Sequence, residues 1–164
     1  EYSGSSFETL EHSKLIILWA HNPAETKFDN LMQCLSKAKK NGAEIIVIDP
    51  RRTPTVKGLG AEWIGIKPTT DCALMDAMSY VIWKEDLYDH FFVHERCLGF
   101  EKYFSYLDGQ NDGIVKTPEW ASEITACGED SAGELSGEIE QGGLLKSFDY
   151  HIGSLKICKN ICKN

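Results

Sequence analysis

The sequence predicts an α/β fold in which helices flank a Rossmann-like parallel sheet, giving three layers. The first observation is a pair of short, continuous apolar runs at residues 14–20 and 44–48, which have the composition of strands buried on both faces. The second is the helical spacing of Leu31, Leu35 and Ala38 between these runs. Strand, helix and strand in this order form a βαβ unit, whose two strands are parallel.

The turns around this unit support the same arrangement. Pro23 stops the first strand from continuing into the polar residues 21–26. Asn41-Gly42 supplies a left-handed stop signal after the first helix. The second strand is expected to end in a rigid turn at residues 49–54, and a short third strand is expected at residues 63–66.

The remaining residues up to about position 125 predict a loop and four helices. Gly58-Leu59-Gly60 has no preceding strand and is expected to be a loop. The strongest helix begins at Thr70 or Asp71, either of which can act as its N-cap. Residues 87–107 predict two short helices, and Thr117-Pro118 begins the last one. The expected apolar anchors are Leu74, Ala77, Met78, Val81 and Ile82 in the first helix, Leu87, Phe91 and Val93 in the second, and Phe100, Tyr103, Phe104 and Leu107 in the third.

The chain is expected to contain one domain and an appendage. Residues 1–127 have the alternating pattern of an α/β domain. In residues 128–143, repeated glycines interrupt any regular pattern, which is typical of a linker. We therefore predict an α/β domain at 1–127, followed at 128–164 by a linker-like segment and an irregular, weakly specified C-terminal tail.

The composition excludes several classes of function. With 42% hydrophobic and 26% charged residues, the chain resembles ordinary ordered proteins rather than disordered ones. Its formal net charge of −8 argues against a nucleic-acid partner, because phosphate backbones are bound by basic surfaces. No apolar run approaches the roughly 18 residues needed to cross a membrane, so no direct membrane insertion is expected. The sequence itself does not indicate a cellular compartment.

Neither a metal site nor a catalytic centre is predicted. Cys158 and Cys162 form a C-x3-C pair without a second pair at metal-binding spacing, so free thiols are expected there rather than zinc. His90 and His94 lack the glutamate of an H-E-x-x-H motif and are expected to form a pair on a helix surface. The sequence has no G-x-G-x-x-G motif, no Walker motif, and no spacing that argues for a catalytic triad.

Three polar segments follow the predicted strands, at residues 21–26, 49–53 and 67–71. In parallel sheets, ligands bind beyond the carboxyl ends of the strands. A carboxylate such as Asp49 suits a ribose hydroxyl pair, and Arg51 and Arg52 suit phosphate. Asp71 at a helix start could accept hydrogen bonds from the ring N–H and amino groups of guanine. Each segment alone is also consistent with an ordinary turn or helix cap.

Taken together, four motifs resemble the catalytic subunits of molybdopterin oxidoreductases, most closely those of the anaerobic dimethyl sulfoxide reductase type. They occur in the family's order and spacing over about residues 8–126. The motifs are Trp19-Ala20-His21-Asn22-Pro23-Ala24-Glu25-Thr26, Ile48-Asp49-Pro50-Arg51-Arg52-Thr53, the segment from Glu62 to Leu74, and Lys116-Thr117-Pro118-Glu119-Trp120-Ala121.

The resemblance implies a site for the guanosine end of a molybdopterin guanine dinucleotide cofactor. By this resemblance, Asn22, Glu25 and Thr26 line the nucleotide, Asp49 and Arg51 meet ribose or phosphate, and Thr70 and Asp71 read guanine. Trp19 and Lys67 lie in the same motifs and complete the set of expected cofactor-binding residues.

The sequence also departs from the family pattern. Thr69 stands where the family usually has glycine, so the turn before the guanine contact is expected to be tighter or shifted. The family's iron–sulfur cysteine motif and the segment that supplies its molybdenum ligand are absent. The chain is therefore interpreted as a fragment of a larger enzyme, with a cofactor-binding half-site and no catalytic centre.

The resemblance further implies the partners. They are the remaining domains of the parent catalytic subunit, an iron–sulfur electron-transfer subunit and a membrane anchor subunit, within a bacterial membrane-associated complex on the periplasmic or cytoplasmic face. Two alternatives stay open at this point: a stand-alone α/β nucleotide-binding or regulatory module without redox chemistry, and a structural interaction domain that binds no nucleotide.

Overall fold

A parallel sheet of three strands, in the order β1-β2-β3, forms the centre of the first part of the chain. β1 covers Leu15–Trp19, β2 covers Glu44–Ile48 and β3 covers Glu62–Ile64. Both strand pairs are parallel, and helices flank the sheet, so the predicted fold class is confirmed. The structure, a computed structural model, describes residues 6–26 and 29–125. The chain divides into two compact units, the first ending at Ile66 and the second beginning at Lys67.

The helices of the first unit are short and lie between the strands in sequence. A 3-10 helix precedes the sheet, and α2, which covers Leu31–Lys40, ends at the predicted glycine stop, where Gly42 has a φ of +97°. There the backbone N–H of Ala43 donates to the carbonyl of Ala38 at 3.0 Å, which closes the end of the helix. The elements are the 3-10 helix Phe7–His12, α1 at Pro23–Thr26, α2 at Leu31–Lys40 and α3 at Pro54–Leu59.

One face of the sheet carries the core of the first unit. Alternate residues of β1 and β2 point to this face, as the two-residue period of a strand requires. They pack against the apolar faces of α2 and α3, and burying each such side chain stabilises the fold by about 1.5–3 kcal/mol. The buried members of this core are Ile16, Leu18, Leu31, Leu35, Ala38, Ala43, Ile45, Val47, Val56 and Leu59.

The structure corrects two expectations in this unit. Ile17 on β1 is 39% exposed, so β1 is not buried on both faces. Among the described strands β1 lies at the edge of the sheet, and a continuous apolar run does not distinguish an edge strand from a central one. Gly58-Leu59-Gly60 is not simply a loop, because Gly58 and Leu59 complete α3 and Gly60 ends it with a φ of +54°. The fixed φ of Pro54 at the first helical position favours this helix.

The second unit is helical in the described segments. α4 covers Asp71–Lys84, α5 covers His90–Arg96, α6 covers Phe100–Leu107 and α7 covers Pro118–Thr125. α4 packs against α6 and α7, and Leu74, Ala77 and Val81 of its predicted stripe are buried. Thr117 caps α7 as predicted, since its hydroxyl accepts a hydrogen bond from the backbone N–H of Trp120 at 3.3 Å.

α5 differs from its predicted packing. Phe91 is 74% exposed and no residue of α5 is buried, so Phe91 does not anchor this helix. A helix of seven residues has room for only a short apolar stripe. The N-terminus of the helix is capped by Asp89, whose carboxylate accepts from the backbone N–H of Phe92 at 2.9 Å, and His94 lies 6.0 Å from the Phe100 ring, centre to centre.

Lys116 is a buried cation that closes the loop between α6 and α7. Its side chain is 2% exposed, and its ammonium group donates to the Asp112 carboxylate and to the carbonyl of Ile114. The same group lies 4.5 Å from the centre of the Tyr106 ring and 5.2 Å from that of Trp120. Burial of this charge is therefore compensated by an ion pair, a carbonyl and two aromatic faces.

Some expectations concern residues that the structure does not describe. The predicted boundary at 127–128, the tail at 128–164 and the Cys158–Cys162 pair all lie outside residues 6–26 and 29–125. Within those two segments, no helix has both the length and the apolar character needed to cross a lipid bilayer.

Candidate functional site

The carboxyl ends of β1 and β2 lie side by side at one edge of the sheet. Trp19, the last residue of β1, is paired with Ile48, the last residue of β2. The backbone N–H of Ala20 then donates to the carbonyl of Ile48 at 2.8 Å. Ala20 itself has a left-handed φ of +47°, which turns the chain away from the strand. The polar segments that follow the two strands therefore begin together, as predicted.

Asn22 is held by a hydrogen-bond chain that links α1 to α3. The hydroxyl of Thr55 donates to Oδ1 of Asn22 at 2.6 Å. The same hydroxyl oxygen accepts from the backbone N–H of Ala24 at 3.0 Å. Thr55 is completely buried, so this contact lies inside the unit beneath the loop that carries Asn22.

Two buried polar atoms near this loop have no hydrogen-bond partner among the described residues. They are Nδ2 of Asn22 and Oγ1 of Thr53. Most buried polar atoms in folded proteins are paired, and leaving one unpaired costs about 1–3 kcal/mol. Unpaired buried donors at the carboxyl edge of a parallel sheet are therefore candidates for contact with a ligand.

Asp49 is buried at the end of β2 and is fixed by three hydrogen bonds. Its Oδ1 accepts from the backbone N–H of Arg51 at 2.8 Å. Its carbonyl accepts from the indole N–H of Trp63 at 2.8 Å, and its own N–H donates to Ile64 at 3.2 Å. Arg51 is exposed, so the buried carboxylate and the exposed guanidinium lie two residues apart.

The remaining predicted residues of the first unit are less enclosed. Glu25 and Thr26 are exposed side chains on α1, and their backbone N–H groups donate to the carbonyl of Asn22 at 3.1 and 3.3 Å. Trp19 is half-buried at the end of β1. The structure thus brings Trp19, Asn22 and Asp49 to one sheet edge, with Glu25 and Thr26 on the adjoining helix.

In the second unit, Lys67, Thr70 and Asp71 form the turn that leads into α4. The carbonyl of Lys67 accepts from the hydroxyl of Thr70 at 2.6 Å and from its N–H at 3.3 Å. Thr70 occupies the N-cap position, but its side chain makes no capping bond; it closes the turn instead. Asp71 is the first residue of α4 and is half-buried.

Thr69 adopts a φ of +70° within this turn. Glycine adopts such a φ freely, whereas β-branched residues rarely do. The backbone therefore has, at this position, the conformation expected for the glycine that the resembling family usually has there.

Sequence reasoning did not single out Thr53 and Thr55. A hydroxyl that is buried beneath a loop produces no periodic pattern in the sequence, and Thr53-Pro54-Thr55 has the composition of an ordinary turn. The one available signal was position, since both follow the carboxyl end of β2.

Other polar clusters in the described residues have structural explanations. In the second unit, Asp76 accepts hydrogen bonds from the phenols of Tyr103 at 2.8 Å and Tyr106 at 3.2 Å. Burial, followed by the neighbouring Asp76 carboxylate, raises the pKa of Tyr106, and burial likewise raises the pKa of Tyr103. Both phenols therefore stay protonated as donors, which suits a cross-brace between α4 and α6.

The histidines and cysteines among residues 6–26 and 29–125 do not form a metal site. His90 pairs with Asp86 at 2.6 Å and lies against the ring of Tyr88. Within the described segments, no group of three or more His, Cys, Asp or Glu side chains is arranged to hold a metal ion. Burial raises the pKa of the Cys34 thiol on α2, which disfavours a reactive thiolate at that position.

A family model for molybdopterin oxidoreductases matches residues 1–148. Dimethyl sulfoxide reductase DmsA from Haemophilus influenzae is 39% identical over 152 residues, which cover 83% of this chain and 19% of the relative. DmsA from Escherichia coli is 38% identical with the same coverage. Trimethylamine-N-oxide reductase from Vibrio parahaemolyticus is 33% identical over 82% of this chain and 18% of the relative. The chain thus spans about a fifth of the length of these curated relatives.

A solved structure gives a matching result. Acetylene hydratase from Pelobacter acetylenicus is 28% identical, with a TM-score of 0.55, over 83% of this chain and 16% of that structure. Together with the family model and the curated relatives, it confirms the resemblance that the four ordered motifs indicate.

Proposed function

Because the chain belongs to the molybdopterin oxidoreductase family, we propose that it binds the guanosine end of a molybdopterin guanine dinucleotide. The observation that carries this proposal is the buried, unpaired amide donor of Asn22 at the sheet edge. Ribose and phosphate oxygens accept hydrogen bonds, so a nucleotide would supply the partner that this donor lacks.

The other groups at this edge fit the same ligand. The Asp49 carboxylate accepts one hydrogen bond from the backbone N–H of Arg51, and a carboxylate has further lone pairs for ribose hydroxyls. The exposed guanidinium of Arg51 supplies a cation for phosphate. A net charge of −8 makes such local donors necessary, because the molecule as a whole does not attract an anion.

In the second unit, Asp71 is proposed to read the guanine base. Its carboxylate stands at the start of α4 and can accept from both the ring N–H and the amino group of guanine. Adenine lacks the ring N–H. Thr70 and Lys67 are proposed to shape the turn that presents Asp71, because the hydroxyl of Thr70 closes on the carbonyl of Lys67.

The whole protein is proposed to be the catalytic subunit of a reductase for sulfoxides or amine N-oxides, as the names of the relatives suggest. When bound, the molybdopterin would supply the redox chemistry, and the residues described here would hold and orient its nucleotide. The rest of the catalytic subunit, an iron–sulfur subunit and a membrane anchor are its proposed partners.

Calorimetric titration of the 164-residue chain with guanosine and adenosine diphosphates tests this proposal. We expect guanosine diphosphate to bind about 10- to 150-fold more tightly, since a charge-assisted hydrogen bond contributes about 1.5–3 kcal/mol. The preference should disappear in Asp71→Ala. Asp76→Asn, on the same helix but bonded to two tyrosines, is the matched control and should keep the preference.

Each other outcome contradicts part of the proposal. Equal binding of the two nucleotides would exclude Asp71 as the base reader. No binding of either nucleotide would exclude a nucleotide site formed by this chain alone. Tight binding of both, unaffected by Asp71→Ala, would favour a general nucleotide-binding module.

A further inference from the structure

We propose that Thr55 is a positioning residue that orients the amide of Asn22, so that its NH₂ group is presented to a ligand oxygen. This inference rests on the proposed nucleotide site and deepens it. It assigns the position beside Asn22 to the sugar–phosphate part of the ligand, which offers acceptors, rather than to the donor-bearing edge of the base.

The donor and acceptor roles of the Thr55 hydroxyl determine the orientation of the Asn22 amide. Its hydroxyl has one proton, and its oxygen already accepts from the N–H of Ala24 at 3.0 Å. The proton therefore needs an acceptor, which Oδ1 of Asn22 supplies at 2.6 Å. If the amide were flipped, its NH₂ would face the hydroxyl oxygen. The hydroxyl proton and Oδ1 would then both be buried without a partner.

Burial makes this orientation rigid. Thr55 is completely buried, and a β-branched side chain has few rotamers available. The chain from Ala24 through Thr55 to Asn22 fastens α3 to the loop that follows β1. Asn22 therefore cannot turn its carbonyl towards a ligand without breaking a short hydrogen bond inside the fold.

The unsatisfied atom left by this arrangement is a donor. Nδ2 of Asn22 is buried and has no partner among the described residues. An incoming acceptor would satisfy it and would recover the hydrogen bond that the unliganded protein lacks. A ligand group with only donors would gain nothing there.

The test is a double-mutant cycle in the full 164-residue chain, with guanosine diphosphate as the probe in calorimetry. Thr55→Val keeps the shape and removes the hydroxyl, and we expect it to weaken binding roughly 10-fold. Thr55→Ser restores the hydroxyl and should bind within about 3-fold of the wild type. Because Thr55 acts through Asn22, Thr55→Val should have no further effect in an Asn22→Ala background.

Two further variants separate positioning from general damage. Asn22→Asp keeps the oxygen that Thr55 contacts but replaces the donor by an acceptor, so it should bind no better than Asn22→Ala. Thr125→Val removes another buried hydroxyl, which donates to the carbonyl of Ala121 at 2.8 Å, and should leave the affinity unchanged. Full effects of Thr55→Val in the Asn22→Ala background, or retained affinity in Asn22→Asp, would overturn the inference.

A second readout does not depend on ligand. The side-chain NH₂ signals of Asn22 in a ¹H–¹⁵N spectrum should be alike in the wild type and Thr55→Ser, and shifted or broadened in Thr55→Val. If guanosine diphosphate fails to bind the wild type, the proposed function fails, whereas this spectrum still decides the role of Thr55. An unchanged Asn22 signal in folded Thr55→Val would refute the positioning role.

Discussion

At the scale of single residues, Thr69 holds a backbone conformation that its side chain disfavours. For residues other than glycine, left-handed φ costs about 1–2 kcal/mol. The turn persists at a φ of +70° because Thr70 closes it twice on the carbonyl of Lys67. Surrounding hydrogen bonds therefore impose the conformation on the residue.

We expect Thr69→Gly to raise the free energy of unfolding by up to about 1 kcal/mol, because the relief of strain exceeds the added entropy of glycine. Urea unfolding measures the difference. Thr70→Gly gives the opposite case: its φ is −108° and its hydroxyl bonds to the carbonyl of Lys67, so the same replacement should destabilise. Equal destabilisation by both variants would contradict strain at Thr69.

Thr53 and Thr55 should respond in opposite ways to the same substitution. Thr55→Val breaks two hydrogen bonds and should lower the free energy of unfolding by about 1–3 kcal/mol. Thr53→Val removes a buried hydroxyl that has no partner among the described residues, so the unfolding free energy should stay within about 0.5 kcal/mol or rise. Chemical denaturation of the two variants, two positions apart, distinguishes these outcomes; similar losses would contradict them.

The Asp112–Lys116 ion pair should make the stability of the fold depend on pH. The Lys116 ammonium and a backbone hydrogen bond from Ile114 hold the pKa of Asp112 below its ordinary value of 3.8. A carboxyl group whose pKa is lower in the folded than in the unfolded protein stabilises the fold at pH values above its unfolded-state pKa. This stabilisation is lost as the pH falls through its folded-state pKa. Asp112→Asn should therefore lower the thermal midpoint at pH 7, and its difference from the wild type should shrink below pH 3.8. A difference that stays constant with pH would contradict this.

At the scale of elements, α5 and α6 differ in how they are held. Leu107 of α6 is completely buried, whereas Phe91 of α5 is 74% exposed. We expect Leu107→Ala to lower the free energy of unfolding by about 2–5 kcal/mol and Phe91→Ala to change it by less than about 0.5 kcal/mol. Thermal or urea unfolding of the two variants tests the difference, and a large loss in Phe91→Ala would restore the anchoring role that the sequence predicted.

Elements with a clear hydrophobic pattern were predictable from sequence, and the two shortest α-helices were not. β1, β2, α2 and α4 were predicted because their apolar residues recur over at least five positions. α1 and α3 contain only four and six residues, too few to show a helical period. The edge position of β1 was also hidden, because pairing with one neighbour or two is a property of the whole sheet.

The residues of the candidate site likewise include some that the sequence predicts and some that it does not. The position of Asn22 and Asp49 at the sheet edge was predictable because both residues follow strands of a parallel sheet, and their contact with a ligand stays a prediction. Thr55 was not, since its role depends on α3, which places it beneath Asn22. Contacts between segments distant in sequence cannot be read from a single chain's local pattern.

At the scale of the whole molecule, the charge of −8 limits how anions can bind. Nucleic-acid binders lose affinity steeply between about 50 and 200 mM salt because they release counterions from many phosphates. A site that relies on a few hydrogen bonds and Arg51 should show a much smaller change for guanosine diphosphate, about 3-fold or less. Titrations at the two salt concentrations measure it. We also expect no binding of labelled duplex DNA; a steep salt dependence or clear DNA binding would contradict this view.

Because Cys34 is buried, the reactivity of its thiol can report how often the first unit opens locally. Its thiol is 1% exposed and its pKa is raised by burial, while Cys72 and Cys97 are exposed. A thiol-specific reagent can reach Cys34 only when α2 separates from the sheet, so the labelling rate counts these openings. In a variant that keeps Cys34 as its single cysteine, slower labelling in the presence of guanosine diphosphate would show that nucleotide binding makes the transient opening of this core less frequent.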